Sequence, residues 1–376
     1  MTKPKRYDVI IVGAGAAGVG MASTLIDFGI KNFKVLDRHE VGASFNRWPE
    51  EMRLITPSFN TTPFGILDLN AVILNTSVAN FLGEEHPRGT DYARYLQAIV
   101  REMQIPVASD WEVVDVEERS SGGFLLTGPE GDLECDYLIW AAGEFQYPRT
   151  NHFAGADLCL HNSHVSSYRD LEGDDFIVVG AFESGVDAAV HLAKNGKSVK
   201  LLCADKELAL VDQDPSRSLS PFTRKRLEEV LKEGSNLQIH YKSQVKEVKK
   251  TGRGFEVITS KGQKLSSTTP PILAVGFRGG TGPVEELFDC REDGHFLLSE
   301  VDESTYADGL FMSGPLVRHD NHIFCYIYKF RQRFAVIAET IADRLGVPVS
   351  DELLELYDRN QMRLVDLSCC GETCVC

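Results

Sequence analysis

Two glycine turns are the parts of this chain best suited to chemistry. The first reads Val12-Gly13-Ala14-Gly15-Ala16-Ala17-Gly18 and the second Val179-Gly180-Ala181-Phe182-Glu183-Ser184-Gly185. Each is followed by an acid: Asp37 lies 19 residues beyond Gly18, and Asp205 lies 20 beyond Gly185. Between a strand and a helix, the first glycine of such a turn makes the tight bend. The second lets the backbone approach a pyrophosphate, and the third allows close strand-to-helix packing. The helix N-terminus adds unpaired N–H groups and a partial positive charge for the phosphates, while the acid accepts ribose hydroxyls. Two such turns imply two nucleotides, most simply a flavin and a nicotinamide.

The elements needed to position these residues are legible. Tyr7 to Val12 is a short apolar strand, Val19 to Phe28 continues as a helix, and Val35-Leu36-Asp37 ends a second strand. A membrane or signal segment over Val9 to Ile26, behind Lys3-Pro4-Lys5-Arg6, is opposed by the glycines and by Asp37. Around the second turn, Phe176 to Val179 is the strand, Asp187 to Leu192 starts the helix, and Val199 to Asp205 supplies the acid. Phe182 replaces the middle glycine, so either a pyrophosphate sits displaced or the ring points away from it. Asp205 favours a free 2′-hydroxyl and Lys206 favours a 2′-phosphate, which leaves NADH and NADPH open.

A second chemical feature is the tail. Cys369, Cys370, Cys374 and Cys376 fall within the last eight residues. They suit a redox relay carrying a dithiol, or a thiolate site for zinc, copper(I) or an iron–sulfur cluster, and this choice stays open. The total of nine cysteines is odd and does not suit a secreted disulfide framework. A net charge of -16 argues against nucleic acid and anionic membranes. With 43% hydrophobic and 25% charged residues, the 376-residue chain reads as globular and cytoplasmic, with a homo-oligomer left open.

The predicted fold is α/β, with two Rossmann-like dinucleotide-binding domains, the NAD(P)-binding one inserted into the FAD-binding one. Residues 1–150 and 305–350 form the FAD-binding domain, 165–280 the NAD(P)H-binding domain, and 351–376 a C-terminal extension with the cysteine-rich tail. A helix over Phe324 to Leu345 is expected to close the first domain; ahead of it His319 and His322, three apart, could share a helical face, but no carboxylate or cysteine at ligand spacing makes a metal case.

Further residues resemble a known family. Val41-Gly42-Ala43-Ser44-Phe45 with Trp48, then Arg53 to Ser58, looks like the flavin-contacting loop of flavin-containing monooxygenases and their Baeyer–Villiger relatives. Ala141-Ala142-Gly143 and Ala274-Val275-Gly276 resemble their two A-T-G turns. Phe153-Ala154-Gly155 followed by His164 and Tyr168 is similar to their linker fingerprint, with a spacer of eight residues in place of three. The scaffold also resembles thioredoxin-reductase-like and bacillithiol-disulfide-reductase-like flavoproteins. Those usually carry a redox cysteine near the flavin, whereas here the turn reads Ala16-Ala17 and no C-x-x-C occurs. Ser313-Gly314-Pro315 stands where many relatives have Gly-Asp.

The resemblance implies an FAD set of Gly13, Gly15, Gly18, Asp37, Arg38, Phe45, Trp48, Thr56, Ser58, Val113, Ala142, Gly143 and Gly314. The NAD(P) set is Gly180, Ser184, Gly185, Asp205 and Lys206. Arg53 is expected beside the flavin ring, and the polar segment Arg318 to Lys329 near it. The implied activity passes hydride from NAD(P)H to FAD and then to O₂ and a small-molecule substrate. A thiol/disulfide or metal reductase using the tail, and a non-catalytic flavin sensor, remain alternatives.

Overall fold

The computed structural model describes residues 4–60, 67–234 and 236–368. The chain divides into two units. One comprises the residues up to Asn46, Pro57–Glu144 and those from Gly279 onward; the other comprises Arg47–Thr56 and Phe145–Arg278.

The first unit is built on β1 (Lys5–Val12), whose inner residues are a nearly continuous buried apolar run, as a central parallel strand requires. It leads into α1 (Ala16–Asp27) and then β2 (Phe33–Leu36). Short helices α2 (Ala43–Asn46) and α3 (Val78–Leu82) precede the longer α4 (Gly89–Glu102). Strands β3 (Val107–Ala108), β4 (Asp115–Glu118), β5 (Phe124–Gly128) and β6 (Gly131–Trp140) follow. Among the described residues the sheet runs β3-β2-β1-β6-β5-β4, and β15 (Leu310–Met312) pairs with β6. The β1, β2, β3, β6 and β15 pairings are parallel, while β4 and β5 add antiparallel strands at one side. Gly20 of α1 meets the Phe334 ring so closely that a Cβ would lie 2.3 Å from it, so the helix contact itself demands the glycine.

The second unit has its own parallel sheet. It holds β7 (Leu160–His161), β8 (Asp175–Val179), α5 (Glu183–Lys194), β9 (Ser198–Leu202), α6 (Pro221–Lys232) and β10 (Leu237–His240). An antiparallel layer of β11 (Val245–Thr251), β12 (Gly254–Thr259) and β13 (Lys264–Ser267) precedes β14 (Ile272–Leu273). The parallel order is β10-β9-β8-β14-β7. Both units therefore carry a Rossmann-like βαβ with its glycine turn at the carboxyl end of the first strand, the position where doubly wound sheets bind ligands.

Two expectations need correction. His319 and His322 do not share a helical face: β16 (Arg318–His319) and β17 (His322–Ile323) form an antiparallel hairpin in which these two histidines are paired. Asp320 at its tip has φ 48°, a left-handed conformation that Asp tolerates and a helix does not contain. The helical part then starts as α7 (Ile327–Phe330), passes through a 3₁₀ turn and continues as α8 (Phe334–Leu345), with α9 (Asp351–Arg359) beyond.

The second correction concerns Arg47–Thr56, which the sequence reading places with the flavin loop of the first domain and which packs within the second unit. The Glu51 carboxylate accepts the Ser167 hydroxyl at 2.6 Å and the Tyr168 and Arg169 N–H groups at 3.1 and 3.2 Å. Arg47 donates to Gln146 at 2.5 Å, and the Trp48 and Phe145 rings lie 6.2 Å apart. Hydrogen bonds from three consecutive linker residues outweigh chain proximity to Asn46.

Candidate functional site

The two glycine turns have nearly the same geometry. Gly13 and Gly180 have φ of +110° and +102°, and added Cβ atoms would lie 2.3 and 2.2 Å from the backbone oxygens of Ala141 and Ala274. A Cβ on Gly18 would lie 1.8 Å from the Gly13 oxygen, and one on Gly185 1.9 Å from the Gly180 oxygen. The first and third glycines are thus required by how strand, turn and helix pack, whatever binds there.

The middle position separates the turns. Gly15 has φ -82° and ψ -165°, extended backbone open to any residue, and a Cβ there would meet nothing within 4 Å. Among the described residues nothing demands a glycine at 15, and its backbone is open to approach. At the second turn Phe182 adopts the same extended conformation, φ -107° and ψ -164°, with 40% of its surface exposed.

Around Gly15 the other groups suit a dinucleotide. Helix α1 has no side-chain cap and no acid in its first turn, which leaves its N-terminal N–H groups and positive dipole end for an anion. Asp37 accepts the Ala14 N–H at 2.6 Å and the His39 N–H at 2.8 Å, tying the turn to the end of β2 with lone pairs left for hydroxyls. Burial holds the Asp37 carboxyl above its ordinary value, and these two N–H groups pull it back. Gly42 donates to the Ala14 oxygen at 3.0 Å, which brings the 41–46 segment onto the turn. A Cβ on Gly314, at φ +101°, would sit 2.9 Å from the Ala17 Cβ, so the Ser313–Gly314 segment lies against the start of α1. The Ser313 hydroxyl there is buried and has no partner among the described residues. An open approach to the Gly15 backbone and an unanswered buried hydroxyl beside it fit the group that the sequence predicts, FAD.

The remaining expected FAD contacts are distributed unevenly. Gly143, at φ +68°, accepts the Gly280 N–H at 2.9 Å, and Trp140 donates to the Gly280 oxygen at 2.8 Å, so this turn is braced by the 279–280 segment. Ala142 adjoins it, partly buried, and Val113 is buried. Arg38 approaches Glu112 at 3.7 Å. Phe45 stacks edge-on against Tyr92 at 4.7 Å. Ser58 is buried, and its hydroxyl oxygen accepts from Asn70 at 2.8 Å inside the unit. Trp48, Arg53 and Thr56 belong to the other unit.

In the second unit, Ser184 and Gly185 lie in the first turn of α5, and Asp205 is exposed beyond β9. Lys206 pairs with Glu207 at 3.3 Å, both largely exposed. Glu183 had no role in the sequence reading. Its partly buried carboxylate accepts the Ser220 N–H, the Ser220 hydroxyl at 3.3 Å and the Thr223 hydroxyl at 2.6 Å. The signal was its place inside the glycine turn itself. Asp302 was also missed: it is fully buried and binds His319 and Arg333.

Among the described residues no disulfide links the cysteines, and no group of three or more His, Cys, Asp or Glu is arranged for a metal ion. Burial pushes the Cys159 thiol up to about 12 and raises Cys135 and Cys203, which disfavours their thiolates. Cys369, Cys370, Cys374 and Cys376 lie outside the described residues. No described helix is long and apolar enough to cross a membrane.

Known proteins agree with this architecture. Residues 10–314 match the family described as pyridine nucleotide-disulphide oxidoreductase. The uncharacterized oxidoreductase CzcO of Bacillus velezensis is 29% identical over 209 residues, covering 53% of this chain and 55% of that protein, about half its length. Bacillithiol disulfide reductase Bdr (YpdA) from Staphylococcus aureus has a TM-score of 0.71 at 19% identity over 90% of this chain and 99% of that one. A flavin-containing monooxygenase from Stenotrophomonas maltophilia has a TM-score of 0.70 at 14% identity over 91% and 99%. These two likenesses establish the fold of flavoproteins with two dinucleotide-binding domains. Since the family match takes in both glycine turns and most of the sequence, the chain belongs to the pyridine nucleotide-disulphide oxidoreductase family.

Proposed function

We propose that the protein is an FAD-dependent oxidoreductase of the flavin-containing-monooxygenase type, taking hydride from NAD(P)H and delivering one oxygen atom of O₂ to a small substrate and the other to water. The observation that carries this reading is the Gly15 position, where the fold asks for no glycine and an approaching ligand does. When bound, FAD supplies the two-electron acceptor for the nicotinamide hydride. The chain's own residues hold and orient: the N–H groups at the start of α1 bind diphosphate, Asp37 accepts ribose hydroxyls, and Ser313 offers a hydrogen bond beside Gly314.

A second reading is favoured by one feature, the four cysteines among the last eight residues. A disulfide there would accept two electrons and two protons to become a dithiol, which would pass them to a small disulfide, or the thiolates would hold a metal. Anaerobic reductive titration of the full chain and of a chain ending at Ser368 distinguishes the readings. The monooxygenase reading expects equal electron uptake by both forms, O₂ consumption coupled to NAD(P)H oxidation in both, and no bound metal. Two extra electrons in the full chain alone would replace it with the relay, and a stoichiometric metal lost on truncation would replace it with the metal site.

A further inference from the structure

Besides the exposed Phe182, the second turn differs from the first in carrying a carboxylate. Glu183 occupies the first helical position of α5. Its three donors come from the start of α6, where Ser220 is the N-cap and itself accepts the Thr223 N–H at 3.2 Å. The N-terminal ends of two helices therefore meet on one side-chain anion. Each end carries roughly half a positive charge, the field that at α1 is left for a ligand. Burial raises the Glu183 carboxyl above its ordinary value, while the three donors favour the ionised form. Helix α1 has no counterpart, since its first turn contains no acid.

We propose that Glu183 sets the affinity of the second turn for nicotinamide dinucleotides and holds it weak, because a dinucleotide diphosphate must share the positive end of α5 with a carboxylate already bonded there. The proposal rests on the reading of the second unit as the nicotinamide site and assigns a residue to that site's binding strength. The diphosphate is common to NADH and NADPH, so Glu183 weakens both alike. Discrimination between them belongs to the exposed Asp205, Lys206 and Glu207, which stand where the adenosine ribose is recognised.

The test is calorimetric titration of the flavin-loaded full chain with NAD⁺ and NADP⁺, oxidised forms that bind without reducing the flavin. Glu183→Gln keeps the shape and removes the charge, and is expected to tighten both dinucleotides about 10-fold with their ratio unchanged. Thr223→Val removes the hydroxyl that donates to Glu183 and accepts from Arg226 at 3.3 Å, keeps the Glu183 charge, and is expected to give no tightening. Unchanged or weakened binding in Glu183→Gln overturns the proposal, as does equal tightening in both variants, which would assign the effect to loosening of α6. Should Glu183→Gln fail to fold, wild-type binding between ~0.05 and ~0.5 M salt decides: repulsion screened by salt makes affinity rise, and a fall overturns the proposal. Anaerobic bleaching of the flavin by NADH or NADPH tests the nicotinamide reading separately. Rapid bleaching with unaltered affinity in Glu183→Gln leaves that reading standing and removes this one.

Discussion

Gly15→Val is expected to yield a folded protein that binds FAD at least ~100-fold more weakly, about 2.8 kcal/mol at ~1.4 kcal/mol per tenfold. The two halves of this expectation come from separate observations. The backbone at 15 is extended and a Cβ there meets nothing within 4 Å among the described residues, so the protein without ligand should tolerate a side chain. As the N-cap of α1, Gly15 makes no side-chain cap bond to be lost, and the substitution should cost below ~1 kcal/mol. The added methyls occupy the approach to the α1 N–H groups, where a diphosphate would have to come close. Gly13→Ala and Gly18→Ala are the contrasting controls. Their Cβ atoms would lie 2.3 and 1.8 Å from backbone oxygens, and both should destabilise by more than ~4 kcal/mol. Bound FAD stabilises the folded state by mass action, so stabilities are compared on flavin-stripped protein and flavin content is read by absorbance on the protein as purified. Wild-type FAD affinity in Gly15→Val would remove the observation on which the proposed function stands.

The same comparison explains what could be read from the sequence and what could not. The glycines at 13, 18, 180 and 185 are dictated by contacts within a few residues of the turn and with the next parallel strand, so a fixed spacing encodes them. Asp37 is legible for the same reason, because β2 pairs in register with β1 and ends where the turn begins. The placement of Arg47–Thr56 was hidden, since it depends on Glu51 meeting linker residues more than a hundred positions away, and no local periodicity records such a contact. The 318–323 hairpin was hidden by its aromatic and basic composition. Its one signal was the Asp320-Asn321 pair, residues that accept the left-handed conformation of a tight hairpin turn. Glu183 stands in plain view inside the second turn, but motif spacing records which positions must be glycine and is silent on charge.

Asp302→Asn is expected to destabilise the first unit by about 3 kcal/mol, the largest stability loss anticipated from an isosteric change in this chain. Asp302 is fully buried and accepts from His319 Nε2 at 2.5 Å and from Arg333 Nε and Nη2 at 2.8 and 3.2 Å. Arg333 is 1% exposed, and its other bonds go to the backbone oxygens of Glu300 and Leu364, which carry no full charge. Removing the carboxylate charge leaves a buried guanidinium uncompensated, which costs far more than an exposed pair would contribute. Asn is the informative replacement because Asp302 has φ 63°, a conformation Asn accepts, while Ala would add roughly 1 kcal/mol of backbone strain. The consequence reaches the candidate site through the main chain: the Asp302 backbone carbonyl accepts the Met312 N–H at 2.9 Å at the end of β15, directly before Ser313 and Gly314, so a shift of the 302 backbone on loss of the carboxylate pairing is passed on there. Asp302→Asn should therefore weaken flavin retention as well as shift the denaturant midpoint. Because the cost arises from an unpaired charge, Asp302→Asn combined with Arg333→Met should recover a large part of the lost stability. Additive losses in the double variant would show that the two side chains stabilise by packing, and that their charge pairing contributes little.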